Sequence, residues 1–169
     1  MSEELTPADK NKYEMLSPED FDAIVTGELT HYAIWLEDVL IQIISDFFAQ
    51  PSRKDLFKRL LLRRDGLTFQ DKIDIVRAMV PEFGNPTAAG NLKQVLKKIE
   101  DFKANRNTFA HGIDVTPRPF TGKSIYVQTV NRAGKEKTVI VSPETHVKTL
   151  DEAEKLLKAA TSVSKELGK

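Results

Sequence analysis

Apolar residues recur every three or four positions along most of the chain, which predicts helices. Near residue 130 the period drops to two. Phe21, Val25, Tyr32, Leu36, Val39, Ile43 and Phe47 share one stripe, and Ile24, Trp35, Leu40, Ile44 and Phe48 widen it. Ser17-Pro18-Glu19-Asp20 supplies a cap, a first-turn proline and acids at the positive end of the dipole. A first helix is therefore predicted from Ser17 to about Gln50, with Gly27 marking a bend or a close helix contact. Pro51-Ser52 opens a second helix that turns Leu56, Phe57, Leu60 and Leu61 inward and ends near Asp65-Gly66. Thr68-Phe69-Gln70-Asp71 reads as a capping box for a third helix through Ile73, Val76, Met79 and Val80, stopped by Pro81. A fourth runs from about Thr87 to His111, where Gly112 is placed to close it in the left-handed conformation.

Ser124 to Thr129 and Lys137 to Val141 alternate or run β-branched around Asn131-Arg132-Ala133-Gly134, the pattern of a β-hairpin that must pack on something to be stable. Thr149-Leu150-Asp151-Glu152 predicts the cap of a last helix, with Leu150, Ala153, Leu156, Leu157, Ala160 and Val163 on one side. The expected fold is all-α, an up-and-down helical bundle with a β-hairpin (about 123–142) inserted before the last helix. Residues 1–16 read as a polar lead-in and 17–169 as a single domain.

Composition narrows the chemistry. With no cysteine among 169 residues, a disulfide scaffold, a thiol nucleophile and a Cys-ligated metal are excluded. Lysine and arginine balance aspartate and glutamate at 25 each, so bulk positive charge does not hold nucleic acid, although local basic faces can. The most apolar region, Ile34 to Ala49, is broken by Glu37, Asp38, Gln42, Ser45 and Asp46, and so is no membrane span. The charged first twenty residues lack a signal core, so a soluble, cytoplasmic protein is expected. The three histidines show no H-x3-H or H-E-x-x-H spacing, and no glycine-rich phosphate loop or G-x-S-x-G elbow occurs, so neither a metal nor a cofactor is expected. His31 reads as a packed or surface residue, and His146 as a loop residue without a partner pattern. The acid pairs Asp71/Asp74 and Glu100/Asp101 suit caps and exposed faces.

The end of the fourth helix is different. Its stripe of Leu92, Val95, Leu96, Ile99 and Phe102 continues to Phe109 and Ile113, with Arg106 at the next step after Phe102, and a permanent charge in line with a buried seam must be paired or face a wet interface. His111 follows in the last turn, where unpaired carbonyls favour a cation. Five helical residues set Arg106 and His111 about 140° apart, while Asn107 shares a face with His111.

Arg106-Asn107-Thr108-Phe109-Ala110-His111-Gly112 resembles the signature of HEPN domains (higher eukaryotes and prokaryotes nucleotide-binding): an arginine, often followed by a polar residue, four to six positions, then histidine. The Ala-His-Gly ending is similar to bacterial members, and the preceding LTFQDKIDIVRAM helix adds to the likeness. The resemblance implies a homodimer in which two motifs face each other across a cleft and cut RNA without metal, with a role in toxin–antitoxin or antiviral systems and an antitoxin or defence protein as partner. Carried onto this chain, it makes His111 the acid or base, Arg106 the cation that stabilises the phosphorane, and Asn107 the residue that orients His111 or the phosphate. Ile113 stands where members controlled by a nucleotidyltransferase antidote often carry tyrosine, which argues against that control. A non-catalytic HEPN module for dimerisation, nucleotide binding or partner docking would carry the same motif.

Arg53, Lys54, Lys58, Arg59, Arg63 and Arg64 make the second helix basic, and Lys93, Lys97, Lys98 and Lys103 add to this on the fourth. Most simply these are solvated faces. The sharper expectation is a track for RNA phosphates through Arg59, Arg63, Lys97, Lys98 and Lys103. Trp35, Phe47 and Phe48 are expected in the core or in a dimer seam.

Overall fold

The computed structural model describes residues 12–120 and 122–167. Helices dominate: α1 (Pro18–Phe48), α2 (Lys54–Phe57), α3 (Phe69–Met79), α4 (Pro86–His111) and α5 (Pro143–Leu167). A small antiparallel sheet of β1 (Ile113–Asp114), β2 (Ile125–Val130) and β3 (Glu136–Val141) lies between α4 and α5 in sequence, in the order β1-β2-β3. The helical class and the hairpin agree with the sequence pattern, and β1 gives the hairpin a third strand. No described helix is long and apolar enough to cross a membrane.

Contacts sort the chain into two units, one taking residues up to His31 with Lys103–Glu154, the other Tyr32–Phe102 with Lys155–Lys169. Of the expected polar lead-in, positions 1–11 lie outside the described residues. Tyr13 is buried rather than solvated.

In the first unit, Ser17 caps α1, its Oγ accepting from the Asp20 amide at 3.1 Å. Phe21, Val25 and Leu29 are buried at four-residue steps. Gly27 lies inside a continuous helix and does not make the close contact expected of it, since nothing lies within 4 Å of where its β-carbon would be. The cap expected at Thr149 is displaced upstream. Ser142 and Thr145 exchange side-chain-to-amide bonds (2.8 and 3.1 Å) just ahead of Pro143, and this earlier signal starts α5. Thr149 sits a turn inside, its hydroxyl donating to the Thr145 carbonyl. His146, expected in a loop, is consequently helical and buried at 1% exposure. Its Nε2 lies 2.6 Å from Glu28 Oε2, and the Tyr13 hydroxyl donates to the same carboxylate at 3.0–3.1 Å. Tyr13 and Phe21 meet the imidazole edge-on, with ring centroids 5.1 and 5.9 Å away.

The hairpin turn is built by Asn131 and Gly134. The Asn131 carboxamide oxygen accepts from the Ala133 and Lys135 amides at 2.9 Å each, and Gly134 adopts φ +76°, a left-handed conformation that glycine takes without strain.

In the second unit, the α1 row continues through Ala33, Leu36, Leu40 and Ile44. Trp35, Phe47 and Phe48 stand off that row at 49%, 41% and 58% exposure, so they are not core. Thr68 and Asp71 form the predicted capping box of α3, which buries Ile73, Val76 and Met79 before Pro81. Lys72, also buried, pairs with Glu37 and donates to the Leu67 carbonyl. Residues 51–62 wind successively as a 3-10 turn, one α turn and a π turn. Lys54, Lys58 and Arg63 tie this segment to Asp46, Gln42 and Asp38 of α1 at 2.5, 2.6 and 3.1 Å. The expected inward face is wrong here: Leu56, Leu60 and Leu61 are half-exposed, Phe57 is only partly covered, and Leu62 is buried. The π turn, with the Arg63 amide bonding the Lys58 carbonyl, widens the helix and carries Leu62 inward in place of its neighbours.

Candidate functional site

Asn85 opens α4, its side-chain oxygen accepting from the Thr87 and Ala88 amides at 3.1 Å each, with Pro86 in the first turn. Leu92, Val95, Leu96, Ile99, Phe102 and Phe109 are all buried as the seam predicts, but Ile113 is not: it has left the helix for a strand and is 64% exposed. Arg106 lies in it and is half-buried. Its Nη1 donates to Asn107 Oδ1 at 2.9 Å, while its Nε is buried without a hydrogen-bond partner. Among the described residues it makes no ion pair. A guanidinium offers five donors in a planar fork, and here only one is shown bonded. Asn107, on the helix face it shares with His111, therefore contacts the arginine. His111 is exposed in the last turn of α4.

The helix does not end as predicted. Gly112 is not left-handed; the positive-φ glycines are Gly66 and Gly134. A β-carbon on Gly112 would collide with Val127 and with the Thr108 carbonyl, so glycine is needed here for space. The chain passes straight into β1, where Ile113 pairs with Gln128 and Asp114 with Val127. His111 is thereby fixed at the junction of helix and sheet.

Beyond it, Asp114 Oδ1 accepts from the Thr116 hydroxyl and amide at 2.5 and 2.9 Å, which hold its carboxyl below the usual range. Burial, followed by the nearby Asp114 charge, pushes the Asp22 carboxyl up. Arg118 bridges Glu19 at 2.8 Å and approaches Asp114 at 3.6 Å.

Lys103 belongs to the same unit as Arg106, Asn107 and His111, whereas Arg59, Arg63, Lys97 and Lys98 belong to the other. All four of the latter are exposed, and Arg63 is engaged by Asp38. Three of the four paired acids have structural work: Asp71 caps α3, while Asp74 and Glu100 both clasp Arg77 at 2.7 Å; Asp101 is exposed. A hollow of about 490 Å³ beside Gly84, Asn85, Glu166 and Leu167 is lined by none of the predicted site residues. The Tyr13–Glu28–His146 cluster escaped sequence reasoning, because no local spacing links positions so far apart in the chain. Comparison of the chain with protein-family models, curated proteins and solved structures found no match.

Proposed function

We propose that this chain is a HEPN-like, metal-independent endoribonuclease that acts as a cytoplasmic homodimer, an effector of the toxin or antiviral type. The supporting observation is Arg106: a half-buried guanidinium with an unpartnered Nε and no ion pair among the described residues, on the same helix end as an exposed imidazole. Burying a charge without a counter-ion is costly, and a phosphate group supplies the missing anion in the geometry a guanidinium fork prefers.

The chemistry needs a base, an acid and a cation. One His111 takes the proton from a ribose 2′-OH, and the 2′-oxygen attacks phosphorus. The P–O5′ bond breaks, and the partner subunit's His111 gives the leaving oxygen a proton. Arg106 stabilises the charge on the pentacoordinate phosphorus. Asn107 Oδ1 holds Arg106, which leaves its amide nitrogen to donate to phosphate or imidazole. The products are a 2′,3′-cyclic phosphate and a 5′-hydroxyl, and the protons balance without water.

The test is RNA incubated with the purified chain in EDTA. Cleavage leaving cyclic phosphate ends is expected, and His111→Ala should lower the rate by about 10²–10⁴-fold or more with fold and dimer intact. An unimpaired variant would refute the assignment. Intact RNA with the unaltered chain would favour the non-catalytic HEPN module for dimerisation, nucleotide binding or partner docking.

A further inference from the structure

The turn of the hairpin and the start of β3 carry Arg132, Lys135 and Lys137, all exposed and without an acidic partner among the described residues. The one acid among them, Glu136, accepts from Gln128 Nε2 at 3.1 Å and so is directed along the strands. Register decides where this charge lies. β1 runs from Ile113 to Asp114 while its partners on β2 run backwards from Gln128 to Val127. The chain that precedes Ile113, which is His111 and the end of α4, therefore reaches the sheet from the side toward which β2 leads to Val130 and the turn. Gly112 locks this arrangement, since a β-carbon there would lie 2.2 Å from Val127 Cγ1 and 3.3 Å from the Gln128 carbonyl oxygen. At about 3.4 Å per residue, the turn begins roughly 10 Å beyond Gln128. The outward sheet face between them shows Ile113 and Ile140 at 64% and 55% exposure, with Tyr126 paired to Ile140.

We propose that the hairpin is a substrate-binding arm: Arg132, Lys135 and Lys137 hold the phosphates of a single-stranded RNA next to the one placed at His111. This rests on the ribonuclease reading above and adds to it where the strand lies. A single strand suits the site because its backbone can pass around the hairpin end, where Lys137 stands on the face opposite Ile140, while its bases turn toward the face that carries Ile113, Tyr126 and Ile140.

The experiment measures binding of a short labelled single-stranded RNA to the full His111→Ala chain in EDTA across a salt series. That background is compared with the same chain carrying Arg132→Glu, Lys135→Glu and Lys137→Glu. The arm predicts at least about tenfold weaker binding for the reversed variant. It also predicts a log–log salt slope shallower by about 2, the share expected for three released cations on a single strand. Lys135→Arg with Lys137→Arg should preserve binding, and Arg132→Ser with Lys135→Ser and Lys137→Ser serves if charge reversal perturbs folding by circular dichroism. Equal affinity and slope in the background and the serine or reversed variant would overturn the arm while leaving the ribonuclease reading standing. If the background chain binds no RNA at any salt, the ribonuclease reading itself falls, and the arm with it.

Discussion

A β-carbon built on Gly112 would lie 2.2 Å from a Val127 methyl group and 2.4 Å from the Thr108 carbonyl oxygen. The first contact could relax, but the second is backbone inside a helix. Gly112→Ala should therefore cost about 1–3 kcal/mol, the range for forcing atoms into a packed site. Urea denaturation would show this as a lower midpoint at unchanged slope; an unchanged midpoint would mean that the helix end gives way freely. The sequence marks this position correctly as one that needs glycine, but for another reason. Glycine after a helix usually signals backbone handedness, whereas here it admits a strand that follows in sequence by fifteen residues and that local spacing does not reveal. Arg106 is the opposite case. Its awkward place in an apolar stripe is readable directly, and the structure adds the Asn107 contact and the buried, unpartnered Nε.

At the scale of elements, the Tyr13–Glu28–His146 cluster stitches the segment before α1, α1 itself and the first turn of α5 together. Burial opposes the Glu28 charge, but the hydrogen bonds from His146 and Tyr13, with the charges of His146 and Lys12, outweigh it and hold the carboxyl below its usual 4.5. A carboxyl depressed in the folded chain binds protons more readily when unfolded. Its stabilisation is whole above about pH 4.5 and is lost as the pH falls through the lower folded value. Glu28→Gln should cost about 1–2 kcal/mol at neutral pH, a figure discounted for the water that reaches the carboxylate, and the gap to the unaltered chain should close on acidification. Thermal melts of both proteins from pH 7 to about pH 3 would check this; a constant gap would show that the cluster packs without an electrostatic part. The capping pattern at Thr149 places His146 in a loop, whereas the helix starts at Pro143 behind the Ser142–Thr145 exchange, a cap that the sequence reading does not include. Residues 51–62 were misread for a comparable reason, since a 3.6-residue period cannot anticipate a π turn, which exchanges Leu62 for Leu60 and Leu61.

For the whole molecule, the predicted helices and hairpin follow from periodicity, turn residues and caps, all local signals. What lay beyond the sequence was the contacts that join distant segments. The proposed mechanism asks for two imidazoles, and one chain offers a single His111 in its motif. Ribonuclease activity per chain should therefore fall on dilution below the dimer dissociation constant, in step with the dimer fraction measured by sedimentation. Constant specific activity through that transition would place the whole reaction in one subunit. The sheet has a further consequence for how the protein behaves in concentrated solution. Among the described strands β3 is an edge, hydrogen-bonded to β2 alone, and an edge of that kind is a template on which a foreign strand could grow, with Ile140 as an apolar foothold. Lys137 sits on that strand as a charged gatekeeper, so a residue proposed to hold nucleic acid would also guard against intermolecular stacking, and neutralising it would trade away colloidal safety along with affinity.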